Sequence, residues 1–347
     1  MKIFVAGATG VLGRRLVPML AERGHHVLGL ARSREKAELV RTLGGTPVEA
    51  DLFDENSLAA AAAGAEVVIH AATAIPDPKS ARSLAAWSMN DRIRREGTRA
   101  LAAAAARVGA RRYLQQSVVW VVKSRGPGEP YDEDTPPNPP LLLRTAIEAE
   151  AIARDAGARH GFSVGILRGG CFYGPDTTSR AMAEMLLARR LPIIGSGENL
   201  VASIHPEDIA HAFVLAAEAE VTGTWHVVDD QPLPLATVLR MLADAVGAPP
   251  PRSIPLWLAR ILAGKHVVES LTTPMNTTNA RIRRELGWAP RYPTLREGLA
   301  ATVEAWRREG FPPSGARTGA KGNASDARTD TKRHGSAARS GPGAADV

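Results

Sequence analysis

Residues 2–13 read KIFVAGATGVLG, and this stretch decides the fold. Lys2–Ala6 predicts a buried strand, and Val11–Arg23 has the apolar periodicity of a helix. Three glycines between them have the spacing G-x-x-G-x-x-G, which is close to the dinucleotide fingerprint. Glycine permits a tight turn and lets a pyrophosphate approach the backbone N–H groups at the positive end of a helix. We therefore predict a phosphate loop formed by Gly7, Ala8, Thr9, Gly10, Val11, Leu12 and Gly13.

Strand and helix patterns alternate beyond this loop. Such alternation predicts an α/β fold, a doubly wound parallel sheet of the Rossmann-like kind with helices on both faces. Glycines end the first four helical patterns, where left-handed C-caps are expected, at Gly24, Gly44, Gly64 and Gly109. The predicted strands are Lys2–Ala6, His26–Ala31, Thr46–Ala50, Glu66–His70, Arg112–Ser117 and Phe162–Leu167. The predicted helices are Val11–Arg23, Ser33–Leu43, Glu55–Ala63, Ala81–Val108 and Leu141–Ala158.

Three regions follow from the pattern. We predict a nucleotide-binding sheet domain over residues 1–170. Shorter elements and recurring prolines over 171–311 predict a smaller C-terminal substrate lobe, with some segments returning to the sheet. Residues 312–347 are dominated by Gly, Ala, Ser, Arg and Asp without periodicity, which predicts a disordered C-terminal tail. A Pro-rich stretch at 126–140 predicts a long loop that is either functional or disordered, and a functional loop would fold over the site.

The composition is typical of a globular protein. Apolar residues make up 44% and charged residues 23% of the 347 residues. We expect a cytoplasmic protein with no membrane partner, because no apolar run could cross a bilayer and no signal peptide precedes the first strand. Its one cysteine, Cys171, excludes a disulfide framework, and no cluster of ligands predicts a metal site. The net charge of +7 comes without a basic stripe or a stacking platform, so we expect no specific nucleic-acid partner.

The end of the second predicted strand indicates which cofactor is preferred. NAD-specific sheets place an acid there to hold the ribose hydroxyls. Here Arg32 stands at that end, followed by Ser33, Arg34 and Lys36. Because a guanidinium can pair with a phosphate, we predict NADP(H) in preference to NAD(H). The alternative is that these residues are solvated charges at the start of a helix.

Together these motifs resemble the extended short-chain dehydrogenase/reductase superfamily of NAD(P)-dependent epimerases, dehydratases and reductases, over roughly residues 1–310. Two further stretches, IHPEDIA at 204–210 and ELGWAP at 285–290, fit its later motifs. The resemblance implies a small-molecule substrate, and homodimers are frequent in the family. It also implies cofactor contacts by Asp51, Leu52, Ala71, Ala72, Thr73, Ser117 and Phe172, with Ser117 and Tyr173 as candidate catalytic residues.

The sequence departs from the family at its proton-transfer pair. The family uses Y-x-x-x-K on the helix after the Pro-rich loop, where the lysine lowers the tyrosine pKa and holds the ribose. Aligning Arg144, Thr145 and Glu150 with the usual flanks puts Leu142 at the tyrosine and Ala146 at the lysine. The chain has four tyrosines and none has a lysine four residues later: Tyr113, Tyr131, Tyr173 and Tyr292.

Several residues are candidates for a replacement acid. Tyr131 lies in the Pro-rich loop, Tyr173 in the expected pocket turn, Lys123 after the fifth strand, and His205 at the lobe boundary. Each also has an ordinary reading, as a solvated loop residue, a surface charge or a structural hydrogen-bonding group. Cys171 adjoins the pocket turn, where a small buried core residue is the simpler interpretation.

Two functions remain open from the sequence. The first is an NADP(H)-binding oxidoreductase or epimerase that transfers hydride to or from a small carbonyl or hydroxyl compound, such as a nucleotide sugar, a steroid-like ketone or another ketone. The retained substrate lobe favours it. The alternative is a non-catalytic NADP(H)-binding redox sensor, which the loss of the tyrosine and lysine favours.

Overall fold

The structure is a computed structural model that describes residues 1–76, 80–122 and 129–311. Its strands are β1 (Lys2–Ala6), β2 (His26–Leu30), β3 (Thr46–Val48), β4 (Val67–His70), β5 (Arg112–Val118), β6 (Ser163–Gly169), β7 (Cys171–Phe172), β8 (Ile193–Ile194), β9 (Leu200–Val201), β10 (Ser203–Ile204), β11 (Gly223–Val227), β12 (Leu233–Pro234) and β13 (Ser253–Ile254). Within the described residues, seven strands form one sheet in the order β11-β6-β5-β4-β1-β2-β3. All six strand pairs of that sheet are parallel, so the predicted α/β fold class is confirmed.

Helices cover both faces of this sheet and also pack with one another in the second half of the chain. They are α1 (Gly13–Glu22), α2 (Arg34–Thr42), α3 (Glu55–Ala61), α4 (Ser88–Arg92), α5 (Thr98–Arg107), α6 (Arg144–His160), α7 (Thr178–Leu187), α8 (Pro206–Glu218), α9 (Leu235–Ala245), α10 (Leu256–Ala263), α11 (Lys265–Thr272), α12 (Ala280–Leu286) and α13 (Leu295–Arg308). One core contains residues of α1 and α8, a second contains residues of α3, α5 and α6, and a third joins α7, α9 and α13.

The predicted strands agree with the structure to within two residues at each end. The four C-cap glycines have φ between +71° and +86°, which is the left-handed conformation that glycine adopts without strain. From the second half of the chain, β11 returns to pair with β6 at the edge of the sheet. The predicted disordered tail, residues 312–347, lies outside the described residues, as does Lys123.

One predicted helix, Ala81–Val108, is wrong as a single element. It divides into a 3₁₀ turn at Leu84–Trp87, α4, a π-helical turn at Ile93–Gly97, and α5. In the π turn the Thr98 N–H donates to the Ile93 carbonyl, one residue further than in an α-helix. His70 is fully buried at the end of β4, beside Gly97 of this turn. Side chains that press into a helix are a recognised cause of such bulges.

Candidate cofactor and substrate site

The glycine turn after β1 is built for close approach. Gly7 has φ +96°, and a Cβ placed on it would stand 2.5 Å from the carbonyl carbon of Ala71. A Cβ on Gly13 would stand 2.2 Å from the Gly7 carbonyl oxygen. No side chain caps the first turn of α1, which begins here. The N–H groups of Arg14 and Arg15 donate to the Gly10 and Leu12 carbonyls at 3.0 Å, whereas those of residues 11–13 have no acceptor among the described residues. These N–H groups remain available for an anion, and the cradle fits the pyrophosphate of a dinucleotide.

The loop after β4 lies directly against this turn. Ala71 donates its N–H to the Ala6 carbonyl at 2.8 Å, and the Ala74 N–H donates to Oδ1 of Asn90 at 3.1 Å. Ala71 is buried, whereas Thr73 is exposed at the edge of the loop. The carboxyl ends of β1 and β4, which are paired strands, thus form one continuous edge, where a doubly wound sheet binds its ligands.

The third strand contributes a local turn. The Asp51 carboxylate accepts the N–H of Phe53 at 3.0 Å, while Leu52 is buried in the core beneath it. Ser33 caps α2 by accepting the N–H of Lys36 at 3.3 Å. Arg32 is exposed and makes no hydrogen bond or ion pair with any described residue. A cavity of about 350 Å³, lined in part by Ser33, Arg34 and Arg41, opens beside it.

Ser117 is committed to a buried carboxylate. Its hydroxyl donates to Oε1 of Glu150 at 2.6 Å, and Nε and Nη2 of Arg168 both donate to that carboxylate at 2.8 Å. Burial disfavours the ionised form of Glu150, but the hydrogen bonds and charge of Arg168 outweigh burial and hold the pKa of Glu150 below its usual value. The only hydroxyl proton of Ser117 is therefore used in the hydrogen bond to Glu150.

Leu142 and Ala146 are the residues that the sequence spacing predicts at the tyrosine and lysine positions. Both are buried, and Ala146 packs in a small cluster with Tyr131, Val121 and Val122. The Tyr131 hydroxyl donates to the Val119 carbonyl at 2.8 Å, and burial raises its pKa. Ala146 therefore packs against a tyrosine of the Pro-rich loop in an apolar cluster.

Comparison with known proteins identifies the family. The model of the NAD dependent epimerase/dehydratase family matches residues 3–228. A 3-diazoavenalumate denitrifying reductase from Streptomyces sp is 38% identical, over 86% of this chain and 99% of the relative. The chain belongs to the NAD dependent epimerase/dehydratase family. The resemblance to the extended short-chain dehydrogenase/reductase superfamily is thereby confirmed, and the family is NAD(P)-dependent.

More distant matches within the family agree with this fold. A ketoreductase from Stigmatella aurantiaca, which acts on a farnesylated dihydroquinoline oxide, is 28% identical over 88% of this chain and 96% of its own length. A dTDP-glucose 4,6-dehydratase from Streptomyces venezuelae with NAD bound superposes with a TM-score of 0.74 at 22% identity, covering 89% of this chain and 98% of that one. A human epimerase family protein with NADPH gives a TM-score of 0.73 at 21% identity, covering 88% and 99%.

Tyr173, the second catalytic candidate of the family pattern, lies in the core that joins α7, α9 and α13. A Cβ on Gly298 of α13 would stand 2.2 Å from its hydroxyl oxygen, so the hydroxyl is wedged against that helix. Burial and the neighbouring Asp229 charge raise the pKa of Tyr173, and the hydroxyl makes no hydrogen bond of normal geometry within the described residues. Its ring packs edge-on against His205. None of its described contacts is with Ser117.

The other candidates have structural contacts. His205 caps α8 by accepting the Glu207 N–H at 3.3 Å, and burial lowers its pKa to about 4. Phe172 packs at the edge of the core beside Gly169. Burial raises the pKa of Cys171 to about 12, which is the state of an unreactive thiol. In residues 1–76, 80–122 and 129–311, no three His, Cys, Asp or Glu side chains are grouped as metal ligands. None of the described helices is both long and apolar enough to span a membrane.

Sequence reasoning missed three charged residues near the site. Glu150 shares helical spacing with the buried Ala146, Ala149 and Ala153, and an acid on an apolar helix face is a signal that could have been noticed. Arg168 follows the apolar residues of β6, and a charged residue in a buried strand is a comparable signal. Arg94 lies in the π turn and reaches Leu142 and Thr145; no sequence pattern separates it from the exposed arginines beside it.

Proposed function

We propose that this protein is an NADPH-dependent reductase that transfers hydride to a small electrophile without a tyrosine–lysine proton pair. The carrying observation is the apolar packing of Leu142 and Ala146 at the two positions of that pair. The commitment of the Ser117 proton to Glu150 supports it further. Bound NADPH supplies the hydride. The glycine turn would hold its pyrophosphate, and the loop from Ala71 to Thr73 would border its nicotinamide half.

An electrophile that needs no external proton fits this site best. An arenediazonium ion accepts one hydride and leaves as an arene and N₂, so its hydrogen and charge balance without an acid. A ketone, in contrast, becomes an alkoxide that must be protonated, and the loss of acid help costs about 10²–10⁴ in rate. The Streptomyces relative is a denitrifying reductase of a diazo compound. We therefore place an aryl diazo compound first and a ketone or sugar second, with Ser117 and Tyr173 as the candidate catalytic residues for a carbonyl.

Deuterium transfer tests the proposal. NADPH carrying deuterium at both C4 positions is mixed with 4-carboxybenzenediazonium or with a panel of ketones, and the products are analysed by mass spectrometry. We expect enzyme-dependent formation of deuterated benzoate. The Gly13→Ala protein and buffer alone give the non-enzymatic background. Deuterated alcohols, formed only with Ser117 intact, would move the assignment to a carbonyl reductase. Unlabelled products throughout would contradict net hydride transfer from NADPH.

Arg32 carries the proposed preference for NADPH. Its guanidinium is exposed and unpaired among the described residues, at the end of β2 where the adenosine ribose would lie. We expect Arg32→Gln to weaken NADPH binding by about tenfold and to leave NADH binding unchanged, because only the 2′-phosphate is lost as a partner. Arg41→Gln is the matched control, since Arg41 lines the same cavity but pairs with Glu38. Equal weakening of both cofactors would contradict the preference.

A non-catalytic redox sensor is the second candidate. The same apolar residues at positions 142 and 146 favour it. A sensor must distinguish its two ligands, because a ligand shifts a conformational equilibrium only by its differential affinity. Titration with NADP⁺ and NADPH separates the two functions: clearly unequal affinities together with no deuterium transfer support the sensor, and equal affinities exclude it.

A further inference from the structure

Arg94 is a buried cation with few partners. Only 8% of its surface is exposed. Its Nη1 donates to the Leu142 carbonyl at 3.5 Å and to the Thr145 hydroxyl at 3.3 Å, which are long contacts. No carboxylate of the described residues lies within 4.0 Å of its nitrogens. Burial lowers its pKa to about 10, partly offset by the charge of Asp91, so the group remains charged at neutral pH.

The other two buried arginines among the described residues, Arg168 and Arg112, have more or stronger partners, although Nη2 of Arg112 is buried without an acceptor. Arg168 has both oxygens of Glu150 at 2.8 Å. Arg112 donates to the carbonyls of Ala216 and Val221 and to the Ser163 hydroxyl. A guanidinium has five N–H donors, and a buried charge without partners is costly. Nε and Nη2 of Arg94 have no acceptor among the described residues. Leaving these donors without acceptors does not stabilise the folded protein.

The position of Arg94 is the reason to assign it a ligand. Leu142 stands at the expected tyrosine, and Thr145 precedes Ala146 at the expected lysine. The helix that leads into the π turn is tied to the cofactor loop through Asn90 and Ala74. Both hydrogen bonds of Arg94 to described residues reach the segment at the start of α6, and neither reaches the glycine turn that would hold the pyrophosphate.

We propose that Arg94 binds a carboxylate group of the substrate beside Leu142. The planar fork of a guanidinium matches a carboxylate with two parallel hydrogen bonds, which a single backbone carbonyl cannot offer. The inference rests on the proposed function, since it names the class of substrate for that same site: a small electrophile that carries a carboxylate. Arg94 then recognises the substrate at the place from which the tyrosine and lysine are missing.

Binding without turnover tests this assignment. The protein saturated with NADP⁺ is titrated calorimetrically with benzoate, cinnamate and octanoate, and with the amide of each acid. We expect at least one acid to bind about 10–100-fold more tightly than its amide. Arg94→Gln should remove the difference and Arg94→Lys should keep part of it. Equal affinity for every acid and its amide, or an acid preference that survives in Arg94→Gln, would overturn the proposal.

Thermal stability provides an independent readout. Arg94→Met removes a buried charge that lacks a partner, so we expect its Tm to rise above that of the natural protein. Arg112→Met is the matched control, and its Tm should fall because three oxygen acceptors lose their donor. A comparable fall in Arg94→Met would make Arg94 a structural residue and overturn the proposal. Neither the binding measurement nor the Tm measurement needs turnover. If hydride transfer to diazo compounds and ketones failed, both would still test whether Arg94 binds a carboxylate.

Discussion

Two buried arginines of this chain, Arg168 and Arg94, differ in the hydrogen-bond partners of their guanidinium groups. Arg168 on β6 and Arg94 in the π turn are both almost inaccessible, with 3% and 8% of their surfaces exposed. Arg168 meets the Glu150 carboxylate with two hydrogen bonds of 2.8 Å, whereas Arg94 has only two longer contacts to neutral oxygens. The difference teaches that burial alone does not mark a functional charge. The proposal for Arg94 rests on its weaker set of partners together with its position beside Leu142.

The Arg168 region is a closed network. The Nη1 of Arg168 lies 3.4 Å from Nε2 of His226, and Nδ1 of His226 lies 2.6 Å from the Thr277 hydroxyl. That hydroxyl donates to the Tyr131 carbonyl at 2.8 Å. A guanidinium only donates, so Nε2 must accept and Nδ1 must carry the proton. Each donor in this chain meets an acceptor, and no place is left for an external ligand.

The largest expected change in stability comes from removing the carboxylate partner of Arg168, which would leave that guanidinium, like Arg94, without an acid. Glu150→Ala removes the carboxylate and leaves a buried guanidinium without an acid. We expect the free energy of unfolding to fall by about 3–5 kcal/mol, measured by denaturant titration at pH 7. Glu148→Ala on the same helix is the control, because its pair with Arg95 is about half exposed, and it should cost less than about 1 kcal/mol. Similar losses in the two variants would remove the contrast between the arginines.

The pH dependence of the Glu150 contribution has a definite sign. The pKa of Glu150 is lower in the folded protein than in the unfolded chain. Its stabilisation is therefore present above the unfolded pKa and is lost as the pH falls through the lower folded pKa. At pH 7 the full contribution is expected, so the difference between Glu150→Ala and Glu148→Ala should be largest there and shrink in strong acid.

The sequence predicts the parts of the fold that local chemistry determines. The glycine turn from Gly7 to Gly13 was predictable because close backbone approach excludes every other residue. The strands of the sheet were predictable because buried parallel strands are continuous apolar runs. The assignment of Leu142 and Ala146 to the tyrosine and lysine positions rests on their fixed spacing to Glu150 and stays a prediction.

The parts that depend on long-range packing were not predictable. The π turn lies beside His70 at the end of β4, a contact between elements far apart in the chain, so the periodicity of Ala81–Val108 could not show it. Glu150 on α6 and Arg168 on β6 come into contact only when α6 packs against the sheet that contains β6. Arg94 stands in a run of arginines with Arg92 and Arg95, and only the fold decides which of the three points inward.

A smaller effect concerns the proton on His226. Burial, then the charges of Arg168 and Arg281, lowers the pKa of His226 to about 3. The unfolded chain takes up this proton near pH 6.5, and the folded protein does not. Stability is therefore expected to fall as the pH drops from 6.5 towards 3. For this one group, the loss between pH 7 and pH 5 is about 2 kcal/mol.

His226→Gln should remove that part of the acid sensitivity, measured as the free energy of unfolding at pH 7 and at pH 5. Glutamine does not titrate, so the variant loses less stability between the two pH values even if it starts less stable. His160→Gln, on the exposed end of α6, should retain the full loss. If His226→Gln and His160→Gln responded alike, the imidazole would be able to accept a proton beside Arg168. The Arg168 network would then be open to a further charge, and the contrast with Arg94 would rest on the carboxylate of Glu150 alone.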